Sequence, residues 1–508
     1  MNKMAVYGTV FITGAAVMVI ELLGTRLIAP FYGTSLYVWA SLLSVTMMAL
    51  AIGYFVGGAW ADRGQGGGLS LIIGLSGMAT LLIPWINGPV LLATDPMGLK
   101  AGSFVSALVL FFPSLTLLGM VSPFAIKKTT AQLNSLGAGA GSIYGVSTVG
   151  SVTGTIVLAF FLFPVIGSRE ILFGLGLTLI GLSLIVSLFD RKGPLAFKGM
   201  GIHLTVMLLL GWVCFSLNPH PSESMDKPFR IVSERESLYG WVRVIDQPDN
   251  DLRLLTSDAS VIGAEGISDR QNRLTYQQIV SLMPLIREGM SRALLVGQGA
   301  GHMAMALWDR SGISVDTIEI DPEVATAATS YFGFKPHGQT VVGDGRYSIR
   351  KLKGPYDLII HDCFTGGSEP THLLTEETLR QLKGLLKPHG LLAVNFVSFL
   401  SAEKNKALAS VVRTTEAVFS HHKIYRSEVD KDFNDFIVMA SDDPIDTHSF
   451  QLSSEMKAWL GERETVIDSS KGTLLTDNFN PLESLQLEKS ETYRNTVVSW
   501  FGSAFLVR

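Results

Sequence analysis

The sequence predicts a two-part molecule: an N-terminal multi-span α-helical membrane domain, then an α/β domain of alternating strands and helices. Three observations predict it. Charge is divided unevenly: of 40 Lys and Arg and 44 Asp and Glu residues, only ten basic and five acidic ones lie before Asn218. The first part therefore carries +5 and the remainder −9, in agreement with the total of −4 over 508 residues. The uncharged part is built of apolar stretches close to the ~20 residues that a bilayer-spanning helix needs. The charged part holds Arg292–Asp321, RALLVGQGAGHMAMALWDRSGISVDTIEID, which reads as strand, glycine turn, helix, strand and terminal acid.

Seven apolar stretches suggest spans: Val6–Ile28, Val38–Trp60, Leu69–Leu92, Phe104–Ile126, Ser142–Val165, Ile171–Phe189 and the shorter Ile202–Leu217. The first is too long for a cleaved signal and lacks a small-residue cleavage pattern. Glycines recur within them (Gly53, Gly57 and Gly58; Gly145, Gly150 and Gly154), which suits close helix packing in lipid. Glu21 and Arg26 lie in or near the first span, where charges default to a paired or functional role. With the N-terminus inside, inner loops hold Lys3, Arg63, Lys127, Lys128, Arg191, Lys192 and Lys198, and outer loops only Lys100 and Arg169. Seven spans would then put the C-terminal part outside the cytoplasm, away from a cytosolic supply of nucleoside. The side of the membrane stays open at this point.

The soluble half follows a linker at Pro219–Pro228. Ile231–Asp246 and Leu252–Thr256, joined by a turn at Pro248–Asp251, predict a β-hairpin, and Leu274–Leu285 predicts a helix. Ala293–Val296 is a strand, and Gly297, Gly299 and Gly301 form a tight turn that lets a ligand approach the backbone. His302–Trp308 is helical with free N–H groups facing that turn. Val315–Ile320 is the next strand, and Glu319 near its end stands about 20 residues on, where an acid can hold ribose hydroxyls. A helix from Pro322, a strand at Thr340–Val342, the turn Gly343–Asp344–Gly345 and a strand at Tyr356–His361 ending at Asp362 continue the alternation. Thr375 caps a helix to Leu386, and Leu391–Phe396, Ala402–Phe419 and Phe436–Ala440 complete it. Such alternation implies a mostly parallel sheet with ligands outside the carboxyl ends of the strands. The expected domains are a transmembrane domain over 1–217, a linker over 218–230, a β-hairpin and helix subdomain over 231–290 and a Rossmann-like nucleoside-binding catalytic domain over 291–508.

No basic stripe is interleaved with aromatics, so nucleic acid is not an expected partner. Cys214 and Cys363 alone exclude a disulfide framework and a thiolate zinc site, and no metal is expected. Cys363 beside Asp362 lacks a base at recognisable spacing and reads as a small loop residue.

At these residues the chain resembles the spermidine synthase family, whose members transfer an aminopropyl group from decarboxylated S-adenosylmethionine to an amine. It is similar also to the bacterial membrane proteins in which several spans precede a spermidine-synthase-like domain. The resemblance runs through most of Glu234–Phe396, with ESLYGWVRV and LRLLTSD matching the N-terminal region and TDNFNPLE near Asp477 a closing motif. It implies a class I S-adenosylmethionine-dependent transferase fold and S-adenosylmethionine or its decarboxylated form as co-substrate. It puts Tyr276 and Gln277 of LTYQQIVSLMPL in the site, Glu319 on the ribose, Asp344 of GDG beside adenine, with Gly345 next to it, and Asp362 of HDCFTGG as the catalytic aspartate, a general base or anchor for the nucleophile. Two positions depart from the family. The aspartate of its glycine turn is Ala300 here, and its second loop aspartate is Thr365. A diamine is a dication, and both carboxylates that grip it are gone. The expected acceptor is therefore a small molecule or lipid, with an amine or hydroxyl nucleophile, other than a simple diamine. Genuine polyamine aminopropyltransfer with a carboxylate from elsewhere, such as Glu369, is one alternative. A membrane transporter or sensor with a silent nucleoside domain is another, and a homo-oligomer is compatible with all three.

Overall fold

A computed structural model describes residues 3–33, 35–63, 68–129, 136–189, 229–364, 366–447, 449 and 451–507. The expected span Ile202–Leu217, Cys214, the linker Pro219–Pro228 and Thr365 lie outside the described residues. The chain forms two compact units, Met1–Ser224 with Ser503–Arg508, and Met225–Gly502.

The first unit is helical: α1 (Lys3–Tyr32), α2 (Leu36–Asp62), α3 (Gly68–Thr94), α4 (Gly98–Gly119), α5 (Val121–Thr129), α6 (Leu136–Val157) and α7 (Ser168–Phe189). Five helical stretches are long and apolar enough to cross a membrane, the third being the whole run Gly68–Thr129. Within it the 3-10 turn Asp95–Met97 folds α4 back on α3. Hydroxyls then meet across the hairpin: Thr80 with Ser114 at 2.7 Å, and Thr94 with Ser106 at 2.7 Å. The expected span Phe104–Ile126 breaks at Met120 into α4 and α5. Glycine sets the closest approaches. A Cβ on Gly53 would lie 2.4 Å from the Thr116 carbonyl oxygen, and one on Gly150 2.1 Å from that of Phe11. Small residues thus let backbones touch. Large apolar side chains face outward, among them Phe55 at 80% and Phe160 at 72% exposure. Arg26 lays its guanidinium 3.9 Å from the centre of the Phe163 ring.

The second unit opens with an antiparallel meander: β1 (Arg230–Glu236), β2 (Trp241–Gln247), β3 (Leu252–Ser257) and β4 (Ser260–Gly266). Only a hairpin was legible in the sequence, because Ile231–Asp246 alternates almost throughout. The structure breaks that run at Ser237–Gly240, where the Ser237 hydroxyl accepts from the Tyr239 and Gly240 amides. Gly-containing SVIGAEG, with no clean alternation, then adds the fourth strand, paired along β3. Helix α8 (Thr275–Ser281) leads into β5 (Arg292–Val296), α9 (His302–Ser311), β6 (Ser314–Glu319), α10 (Pro322–Tyr331), β7 (Thr340–Val342), α11 (Gly345–Ile349) and β8 (Tyr356–His361). There follow α12 (Glu376–Leu385), β9 (Leu386–Phe399), α13 (Lys406–Glu416), β10 (His421–Arg426), β11 (Phe433–Ser441), β12 (Glu464–Thr465) and α14 (Leu487–Phe501).

The main sheet runs β12-β10-β11-β9-β8-β5-β6-β7. Strands β7, β6, β5, β8 and β9 are parallel, while β11, β10 and β12 add antiparallel pairings. Strand β10, HHKIYR, carries little apolar signal, and its pairing along β11 supplies what its sequence lacks. The strand period of two assigns alternate residues to opposite faces. Ala293 and Leu295 pack with Ile279, Met303 and Leu307, whereas Leu294 and Val296 pack with Leu379, Leu408 and Val412. Each such leucine contributes roughly 1.5–3 kcal/mol by leaving water. A sheet buried on both faces leaves polar residues few places except its strand ends.

Candidate active site

Backbone pairing brings those ends into one rim. Gly297 N–H donates to the Ile318 carbonyl at 2.9 Å, Gly343 N–H to Glu319 at 2.8 Å, and Asp362 N–H to Val296 at 2.8 Å. The turn after β5 is left-handed at all three glycines, with φ of 93°, 54° and 81° at Gly297, Gly299 and Gly301. A Cβ on Gly297 would meet the Asp362 carbonyl oxygen at 2.0 Å, and one on Gly301 the Phe334 ring at 2.3 Å. The protein's own packing already demands glycine here, before any ligand arrives.

Glu319 turns its carboxylate back onto that turn. Gly299 N–H donates to Oε2 and Asp321 N–H to Oε1, both at 3.1 Å. Burial nonetheless pushes its carboxyl up to about 7, against those two donors. Asp344 caps α11, accepting from the Tyr347 amide at 2.7 Å, and its other oxygen stands 3.8 Å from His372. Gly345 begins that helix, buried against Val296 and Leu373. Arg346 in the same helix holds Asp477 through bonds of 2.7 and 2.5 Å, so the TDNFNPLE segment is tied down beside Asp344.

Asp362 ends β8 between two neutral donors. The Tyr276 hydroxyl donates to Oδ2 at 3.0 Å and Asn395 Nδ2 to Oδ1 at 2.8 Å. Gln277 in turn donates from Nε2 to the Tyr276 oxygen at 3.1 Å. Tyr276 and Gln277 are adjacent on α8 and buried, so both reach the rim from above the sheet face that carries Ile279. Burial raises Asp362 to about 6, partly offset by its two donors. The Cys363 thiol is raised well above its ordinary range by burial and by surrounding carboxylates, which keeps it protonated and a poor nucleophile.

Residues that the sequence did not single out complete the cluster. Asn395 lies in the apolar run LLAVNF, and a lone amide in a buried strand was the available signal. Asp435 lies on β11 near Asp362 and Glu369, and burial with those two charges pushes it up to about 7. Glu369 does not stand free for an acceptor: it is ion-paired with the buried Lys489 and accepts from the Val397 amide at 2.8 Å. Glu369 and Lys489 stand 120 residues apart, a separation that carries no signal of this pair.

No protein-family profile matches the chain. A known protein does: over 300 residues it is 27% identical to the polyamine aminopropyltransferase of Vibrio vulnificus, across 55% of this chain and 98% of that one. The chain is a homologue of the spermidine synthases. Its relatives extend beyond them. A 242-residue stretch is 27% identical to the N-terminal histidine N-methyltransferase of Emericella nidulans, and 133 residues are 31% identical to the human eEF1A lysine and N-terminal methyltransferase. The chain spans 43% and 19% of the lengths of those two proteins. Among solved structures, a probable spermidine synthase of Corynebacterium glutamicum matches at TM-score 0.39 and 19% identity, over 46% of this chain and 86% of that one. A spermidine synthase bound to the transition-state analogue AdoDATO matches at 0.38 and 18%, over 48% and 83%. The homologues are transferases of aminopropyl and methyl groups, and a transferase is what this chain's relatives support.

Proposed function

We propose that the second unit is a transferase that moves an alkyl group from S-adenosylmethionine or its decarboxylated form to an amine, and that the first unit anchors it in a membrane. The observation that carries this reading is the carboxylate of Asp362, held between Tyr276 and Asn395 at the end of β8, one strand from the glycine turn and two from Glu319. Glu319 and the turn suit the ribose and the nucleoside; Asp344 and Gly345 suit the base end; Gln277 and Tyr276 suit the donor tail and the acceptor.

The chemistry asks little beyond alignment. The nitrogen lone pair attacks the carbon attached to the sulfonium, the C–S bond breaks with both electrons going to sulfur, and a neutral thioether leaves. The proton shed by nitrogen passes to Asp362. Ala300 stands where the resemblance would place a carboxylate beside the donor tail, so that position adds no repulsion of the α-carboxylate of intact S-adenosylmethionine. The outward apolar faces of Phe55 and Phe160 favour lipid contact, as expected for a multi-pass protein of the cell membrane. Calorimetric titration of the full-length protein in detergent with each donor tests the reading. Heat with at least one donor, lost in Glu319→Ala, supports it; silence from both, or an Ala variant that binds like wild type, ends it.

A further inference from the structure

The cluster around Asp362 continues onto β11. Asp435 on β11 pairs across from Val397 of β9, while Asn395 lies two residues along the same face. The Asn395 amide bonds Asp362 and lies close enough to Asp435 to hold its carboxyl down against the burial that raises it. Tyr276 and Tyr493 lie close enough to Asp435 to feel its charge. Asp435 keeps part of its surface accessible, whereas Glu369 is 2% exposed and closed off by Lys489.

The unused hydrogen-bonding capacity of these groups is all of one kind. Ionised carboxylates only accept. Two amide oxygens beside them, Asn395 Oδ1 and Gln277 Oε1, are buried without a partner among the described residues. Reversing the Asn395 amide would aim its oxygen at carboxylates, so its orientation is fixed by chemistry. A pocket of acceptors awaits a donor-rich cation, and an alkylammonium brings three N–H donors with its charge. A second ammonium finds less. Ala300 offers no carboxylate, and the Lys489 ammonium acts on Asp435 from within the protein. Asp362 and Asp435, raised to about 6 and about 7, together carry fewer than two full negative charges at neutral pH.

We propose that Asp435 and Asn395 form the acceptor end of this site, and that the acceptor is a monoamine, presenting one ammonium group, in place of a diamine. This rests on the transferase reading above. Asp435 binds and orients the ammonium, Asp362 takes one of its protons, and the lone pair so freed forms the N–C bond as the C–S bond breaks, leaving a neutral thioether and a secondary ammonium.

The test is calorimetry on the full-length protein in detergent, saturated with S-adenosylhomocysteine or 5′-methylthioadenosine, the thioethers the two donors would leave. n-Butylamine and putrescine are the amine probes. The expected result is that n-butylamine binds at least as tightly as putrescine. Asp435→Asn should weaken n-butylamine by about tenfold or more, with thioether affinity unchanged, and Asp435→Glu should recover part of the loss. Putrescine binding tenfold tighter than n-butylamine, or an Asn variant that binds n-butylamine like wild type, would overturn the proposal. Should the Asn variant lose the thioether as well, its fold has failed and the wild-type comparison of the two amines decides. Loss of thioether binding in wild type removes the transferase reading and this inference together; failure of the amines alone removes only the inference.

Discussion

Glu319 shows what a single buried acid costs and gives. Its folded-state carboxyl is raised from an ordinary 4.5 to about 7, so the folded protein holds a proton that the unfolded chain releases. That contribution to stability is fully present below pH 4.5 and is lost as pH rises through 7. Wild-type protein should therefore lose stability between those limits, and Glu319→Gln should flatten that slope by on the order of 1–3 kcal/mol, read as thermal midpoint against pH. Tyr276 has a different role. Its hydroxyl lowers the Asp362 carboxyl while the desolvated site and Glu369 raise it. Tyr276→Phe should move the acidic limb of the rate profile to higher pH and cut kcat roughly tenfold to hundredfold through misplacement of the base. Measuring thioether release with n-butylamine as acceptor checks both; an unmoved limb would mean the hydroxyl serves packing only.

At the scale of elements, two junctions hold the rim together. Between β5 and α9, Gly297 lies at φ 93° with the Asp362 carbonyl against its α-carbon, so the glycine turn and the catalytic loop are fitted as one piece. Gly297→Ala should destabilise by on the order of 2–4 kcal/mol, from backbone strain and overpacking, and should displace Asp362. Chemical denaturation with thioether release reads both effects. Between α14 and the loop after β8, the buried Lys489–Glu369 pair is backed by Gln486 and the Val397 amide. Lys489→Met leaves a buried carboxylate unpaired and should destabilise by about 3–5 kcal/mol. Adding Glu369→Gln should recover much of that, and additive losses in the double variant would refute a coupled pair.

For the whole molecule, the charge division, +5 against −9, sets a charge-poor apolar part before a charged one. The helical unit buries serine, threonine and glycine among its apolar residues and also turns Phe55, Phe160 and Phe161 outward, a surface that suits lipid. The full chain should stay with membranes through an alkaline carbonate wash and leave only with detergent. Release by carbonate, followed as protein in the supernatant, would contradict anchoring.

The sequence by itself determined the uneven charge, the apolar helices, the strand–glycine–helix–strand unit and the acids at strand ends, since each is written in residues a few positions apart. Tyr356–His361 and the Thr375-capped helix emerged as read, because local periodicity and capping suffice for them. Only the tertiary structure decided the fourth meander strand and β10, whose sequences lack a clear strand alternation and take their form from a neighbouring strand. It alone brought Asn395 and Asp435 to Asp362 and gave Glu369 to Lys489. Contacts across tens of residues leave no periodic mark in the chain, and the charge state of a buried acid depends on which neighbours the fold places around it.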